Sequence, residues 1–277
     1  MKYTVKKKAY NIVITVIGVI VMLIIAFPVL WLLRTALIPP VALYDKPPVL
    51  LFKPSFVSFG NAIWMGHLGS RLVNSIIISI FSTLISVFLG VMAGYGITRF
   101  RFPFMKNVHI LVLFNRMVPA VATLLPIFIM FNRLRLIDTH IGLILAYSAG
   151  NMSMVIWMAW GFFRALPHEM EESAHIDGAG SFRVFVQIIL PVSTPIVASV
   201  GILAFTGSWN EFMMATVLSR IKAGTLPPGV VAMMNQSNLA WDQLSAASVM
   251  ASLPLVILCI VAQKYFIQGL TAGSVKG

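Results

Sequence analysis

Long apolar runs alternate with short polar segments along the chain. The runs cover roughly residues 11–33, 72–97, 108–131, 141–163, 192–218 and 247–266. Each reaches the ~20 residues a helix needs to cross a ~30 Å hydrocarbon core. None shows the alternation of a barrel strand, and only helices and closed barrels satisfy every backbone polar group in lipid. The pattern predicts an all-α membrane protein, a six-transmembrane-helix bundle forming a single domain over 1–277. The first run follows Lys6, Lys7 and Lys8 but is too long for the 7–15-residue core of a signal peptide. It therefore reads as a retained helix.

Composition agrees: of 277 residues, 59% are apolar and 10% charged, against about a quarter charged in soluble domains. The net charge of +12 comes mostly from Lys and Arg between apolar runs. Such charges flank spans and meet lipid headgroups, which argues against a nucleic-acid partner. The single cysteine, Cys259, cannot form an intrachain disulfide and reads as a small buried hydrophobe. The N-terminal lysines place that end in the cytoplasm, and six crossings return the C-terminus there. Arg99, Arg101, Lys106, Arg164, Arg183, Lys264 and Lys276 then lie inside.

The outside segment from Arg34 to Arg71 carries five prolines and is expected to be an irregular connector or docking surface. The inside connection from Arg164 to Pro191 is long enough to hold structure. Pro167 suits a first helical turn, with Glu169, Glu171 and Glu172 at the positive end of the helix dipole. Asp177 and Gly178 end that helix. A second short helix is predicted from an N-cap at Ser181, with Phe182, Phe185, Val186 and Ile189 on one face and Pro191 as its stop.

Two readings of this loop stand side by side. It is an amphipathic element lying at the interface, or an acidic element that docks on a protein; anionic headgroups attract basic helices, which favours docking. His168, Glu171, Glu172 and His175 share helical spacing, but Glu stands where the H-E-x-x-H zinc motif needs its second His. No P-loop signature occurs, so any ATP used must be bound by another subunit.

Glu172-Ser173-Ala174, three residues, Gly178, nine residues, then Ile188-Ile189-Leu190-Pro191 closely resembles the E-A-A-x3-G-x9-I-x-L-P loop of permease subunits of binding-protein-dependent ABC importers. Ser173 is the one departure. Trp209-Asn210-Glu211-Phe212 and the ending Gly269–Gly277 resemble the carbohydrate branch, permeases similar to the smaller maltose-transporter permease. The resemblance implies a multi-pass subunit of a bacterial or archaeal cytoplasmic membrane, non-catalytic and without a cofactor of its own. It further implies pairing with a second permease subunit around a path for a carbohydrate. An extracytoplasmic solute-binding protein would sit outside, and two ATPase subunits binding ATP and Mg inside. The 169–179 segment becomes a coupling helix, with Glu169, Glu171, Glu172, Ser173, Ala174, Asp177, Gly178 and Ala179 at the ATPase and Leu190 and Pro191 closing the motif. A glycerol phosphate or polyol is the alternative cargo.

Polar residues inside spans are costly and mark either packing or function. Asn74, Ser75, Ser79, Ser82, Thr83 and Ser86 with Gly90 and Gly94 read as helix packing in the second span. Asn115, Arg116, Asn151, Trp209, Asn210 and Glu211 are candidates for the translocation path. Pro119 and Pro126 are expected to break or bend the third span. A stand-alone ion-coupled carrier would need several intramembrane carboxylates or an internal repeat, and the spans hold Glu211 alone. An intramembrane enzyme lacks a nucleophile–base pair.

Overall fold

The structure is a computed structural model that describes residues 2–64, 67–100, 107–234 and 240–272. Among these residues every regular element is helical. The helices are α1 (Lys2–Leu37), α2 (Val57–Trp64), α3 (Leu68–Arg99), α4 (Val108–Met117), α5 (Ala120–Arg133), α6 (His140–Ala165) and α7 (Glu169–Ile176). They continue as α8 (Ser181–Val192), α9 (Thr194–Trp209), α10 (Met213–Leu218), α11 (Leu226–Met234) and α12 (Trp241–Ala272).

Among the described residues, four segments are long and apolar enough to cross a membrane: Tyr10–Leu37, Leu68–Arg99, His140–Ala165 and Trp241–Gln263. Two more spans arise if each bent pair counts as one, giving six. The α4–α5 pair turns by 96° at Val118 and Pro119. Proline lacks an N–H and pushes its predecessor out of the α region, and Val118 is accordingly extended at ψ 123°. Pro126 stays inside α5, so of the two expected breakers only Pro119 divides the span. The α8–α9 pair turns by 79° at Ser193, whose hydroxyl donates to the Ile189 carbonyl at 2.6 Å just ahead of Pro195.

Several expected boundaries shift. The fifth span does not run as one helix to 218: α9 ends at Trp209, and the Glu211 carboxylate accepts the Met214 N–H at 2.8 Å to begin α10. The proline-rich connector is shorter than expected, because α1 continues to Leu37 and Val57–Trp64 is helical. Gly269–Ala272 complete α12, and 273–277 lie outside the described residues. Cys259 is exposed beside Val256, Ile257 and Ile260, because this side of α12 is bare in the isolated chain.

The chain forms two compact units, residues 1–69 with 230–253 and residues 70–229 with 254–277. In the first, the Arg34 guanidinium lies 4.8 Å above the Trp31 ring and donates to the Val49 carbonyl at 2.6 Å. The buried Ser58 hydroxyl donates to the Asp242 carboxylate at 2.8 Å.

In the second unit α3 and α6 approach closely along a face made of glycine. A Cβ on Gly90 would stand 2.7 Å from Val155, and one on Gly94 would stand 2.7 Å from the Ala159 Cβ and 3.0 Å from the Trp160 nitrogen. The small residues read as packing sites thus have that role. Replacing Gly94 by valine should destabilise the protein by about 1–3 kcal/mol through overpacking, whereas Gly96→Ala, with nothing within 4 Å of a Cβ, should be neutral. Melting temperatures of the purified variants in detergent check the contrast.

The turn between α5 and α6 is tied to the stretch after α10 by one carboxylate. Asp138, at φ 56°, accepts backbone N–H groups from Arg220 at 2.8 Å, Ile221 at 3.2 Å, Lys222 at 3.1 Å and Ala223 at 3.0 Å. Burial alone would raise this carboxyl, but the four donors outweigh it and hold the group at about 2, below its ordinary 3.8. A depressed folded-state value means that the clasp stabilises fully above about 4 and is lost as pH falls toward 2. The protection factors of the 220–223 amides, corrected for intrinsic exchange at each pH, should therefore fall selectively over that interval, and Asp138→Ala should show the low protection at neutral pH.

Candidate functional site

The connection between α6 and α9 is a packed structure with an inner and an outer face. Glu169, Glu171 and Glu172 fill the first turn of α7, where unpaired N–H groups favour anions. Pro167 lies just ahead of the helix rather than in its first turn. Asp177 caps the C-terminus. The Gly178 N–H then bonds the His175 carbonyl at 3.0 Å, and the Ala179 N–H reaches back to the Ala174 carbonyl at 3.0 Å. This double closure needs a left-handed residue, and Gly178 supplies it at φ 81°.

In α8 the buried side chains are Val184, Phe185 and Ile189, while Phe182 is 73% exposed and Val186 is exposed. The expected face of Phe182, Phe185, Val186 and Ile189 is therefore corrected. Across the π-helical turn at Phe185–Ile189 the period lengthens, so Val184 and Ile189 share the buried face and Val186 leaves it, while Phe182, ahead of the turn, lies on the exposed side. The expected N-cap moves by one as well: Gly180 is the extended cap and Ser181 the first helical residue. Pro191 does not stop α8, which continues to Val192.

The inner face joins the core of the second unit. Ala174, Val184, Phe185 and Ile189 pack with Val91 and Tyr95 of α3, Val155, Ala159 and Phe163 of α6, and Val200 and Ala204 of α9. Glu171 is buried beneath α7 and ion-paired with Arg99 at 2.6 Å, while the Tyr95 hydroxyl donates to its other oxygen at 2.9 Å. The outer face carries Glu169, Glu172, Ser173, Ile176, Asp177 and Gly178, all exposed. Ala179 and Leu190 are half-buried, and Pro191 is exposed. The four residues at zinc-like spacing do not converge. Glu171 points inward, Glu172 outward, and His175 Nδ1 lies 2.8 Å from the Ala179 carbonyl. Tyr95 and Arg99 were not among the predicted site residues; their signal is the i, i+4 spacing that puts both on one face at the end of α3.

The path candidates separate into two groups. Asn115 donates to the Ser153 hydroxyl at 2.6 Å, and both line an open pocket of about 370 Å³ with Arg116, Gly150 and Met214. Asn151 instead donates to Ser208 at 2.8 Å and to the Ala204 carbonyl at 3.1 Å. Trp209 is buried and stacked on Phe205 with ring centres 5.8 Å apart. Asn210 is exposed beside the half-buried Glu211. The Ser208 hydroxyl also accepts from Ser82 at 2.8 Å, and Asn74 donates to the Lys222 and Gly224 carbonyls, each at 2.9 Å. Asn74, Ser75 and Ser82 of α3 thus face neighbouring helices and loops.

Comparison with known proteins decides what kind of molecule carries this loop. Residues 86–271 match the family described as "Binding-protein-dependent transport system inner membrane component". The chain belongs to that family. As a permease subunit it is a membrane protein and not itself an enzyme. It is 31% identical over 282 residues to the arabinooligosaccharides transport system permease protein of Bacillus subtilis (strain 168), covering 100% of both chains. The trehalose/maltose transport system permease protein of Thermococcus litoralis is 31% identical over 270 residues, covering 96% of this chain and 97% of the relative. A bacterial ABC transporter involved in the import of the acidic polysaccharide alginate contains a chain of the same fold. The match has a TM-score of 0.78 at 20% identity, over 94% of this chain and 98% of that one.

Proposed function

We propose that this permease subunit serves as a single transmembrane domain which, with a second and different permease subunit, forms the path for a sugar or oligosaccharide. Two ATPase subunits that bind ATP and Mg drive it, and an extracytoplasmic solute-binding protein delivers the cargo. The oligosaccharide permeases to which it is similar along almost its whole length support this cargo class. The N-terminal lysines support a cytoplasmic N-terminus, which puts the α7–α8 loop on the ATPase side of a bacterial or archaeal cytoplasmic membrane.

The observation that carries the coupling role is the division of the loop into two faces. Its inner side is continuous with the core of α3, α6 and α9, while its outer side offers Glu172, Ser173, Ile176 and Asp177 around the tight turn at Gly178. An exposed carboxylate at a fixed position suits an arginine or backbone donor on a partner. A lever packed at its base transmits a partner's closure as a shift between two discrete arrangements.

In the reconstituted transporter, Glu172→Ala and Gly178→Val should each lower uptake per ATP hydrolysed by about 5–150-fold, the range of a typical coupling free energy. The valine acts by straining the left-handed turn, not by a clash, since nothing lies within 4 Å of a Cβ there. Unchanged ATP-driven uptake in both variants would remove the coupling role. The assembly is checked by purifying the chain from its native membrane in mild detergent. A different permease and ATPase subunits in stoichiometric amount are expected, and recovery of the chain alone would favour a stand-alone carrier.

A further inference from the structure

The outer face of the loop contacts a partner only under the reading above, but the inner face shows how the chain would receive the force. Arg99 closes α3, and its side chain is 6% exposed. All three of its nitrogens are engaged, each by a different residue. Nε donates to Glu171 Oε1 at 2.6 Å, Nη2 donates to the Leu166 carbonyl at 3.2 Å, and Nη1 lies 3.1 Å from His168 Nε2. One turn earlier, the Tyr95 hydroxyl takes the second Glu171 oxygen at 2.9 Å. The Tyr95 ring rests 4.8 Å from Phe185 of α8 and 5.6 Å from Phe163 of α6. The end of α6, the first turn of α7 and the buried face of α8 are therefore all fastened to one turn of α3.

Net stability is a poor explanation for such a cluster. A buried ion pair often contributes no more than well-packed apolar residues of the same volume. What the pair adds is direction, because a guanidinium fork fixes the angle and register of what it holds. Apolar contacts alone would let the short α7 rock on the core as the outer face is pulled.

We propose that Arg99, braced by Tyr95, is the positioning residue that locks α7 to the end of α3 through Glu171. A displacement at the outer face of the loop then enters α3 directly, as well as α6 and α9 through the chain. The polar seam of α3, with Ser82 bonded to Ser208, carries it on to the break after α9. This inference rests on the coupling role proposed for the loop.

The test uses the whole transporter in liposomes and reads assembled complex, ATP hydrolysis and uptake separately. Arg99→Gln should leave the amount of complex and its hydrolysis near normal while uptake per ATP falls about tenfold or more. Arg99→Lys keeps the charge but lacks the fork, so its loss should be smaller. An unchanged uptake-to-hydrolysis ratio in Arg99→Gln would overturn the proposal. If Arg99→Gln does not assemble, Glu171→Gln, nearly isosteric and neutral, takes its place with the same two outcomes. Its failure to assemble as well would mark the pair as structural and overturn the proposal. Ile176→Cys, 86% exposed on the outer face, separates the two levels of the argument. Cross-linking to an ATPase subunit in the otherwise unaltered chain upholds the docking role, so a negative result with Arg99→Gln then counts against the lock alone. No cross-link would place the failure in the coupling role itself.

Discussion

Within a hydrocarbon layer there is no water to take up an unpaired N–H or C=O, so the chain must satisfy its own backbone. That constraint makes the structure helical and also governs where it departs from regular helix. The bend at Val118 and Pro119 sits where a pocket opens between α4 and α6 residues. The bend at Ser193 is closed by a hydroxyl that returns to the Ile189 carbonyl. After Trp209 the Glu211 carboxylate takes up a free N–H of the next helix. The same need pairs three polar side chains of α3. Ser82 meets Ser208, Ser75 takes the Leu226 N–H, and Asn74 takes two carbonyls of the 222–224 stretch. These contacts hold helices in register where lipid offers no hydrophobic drive toward association.

The α7–α8 loop obeys a different balance. It is short, charged and capped at its free end by Gly178, so its own helical propensity would not keep it folded. It is ordered by its inner face, an apolar patch continuous with the core and a carboxylate held by Arg99 and Tyr95. This leaves the exposed side chains of Glu169, Glu172 and Ile176 outside the core. In the proposed importer, separate faces allow a partner to bind one side of α7 without competing for the contacts that keep α7 in place.

Much of this was readable in the residues. Run length gave helices and their approximate number, and Gly90 with Gly94 marked a close helix contact without naming its partner. The acids followed by Asp177 and Gly178 marked α7 and its end. The misplacements have specific causes. The π-turn in α8 changes the helical period, so a face drawn at i, i+3 and i+4 includes the exposed Val186 and misses the buried Val184. The break after Trp209 falls at Asn210 and Glu211, polar residues read as candidates for the path rather than as the end of a helix. Trp209 itself was a candidate for the path because aromatic rings stack on sugars, but its ring stacks on Phe205 and is buried.

The sequence by itself determined the class of molecule and the chemistry of the loop, because both depend on local quantities: run length, charge placement, and the spacing of acids and glycine. Only the tertiary structure decided which acid is inside. Glu169, Glu171 and Glu172 are the same kind of side chain within four positions, and no propensity tells them apart. Their fates differ because Arg99 and Tyr95, more than 70 residues earlier, lie under α7 and give Glu171 alone the partners that a buried carboxylate requires.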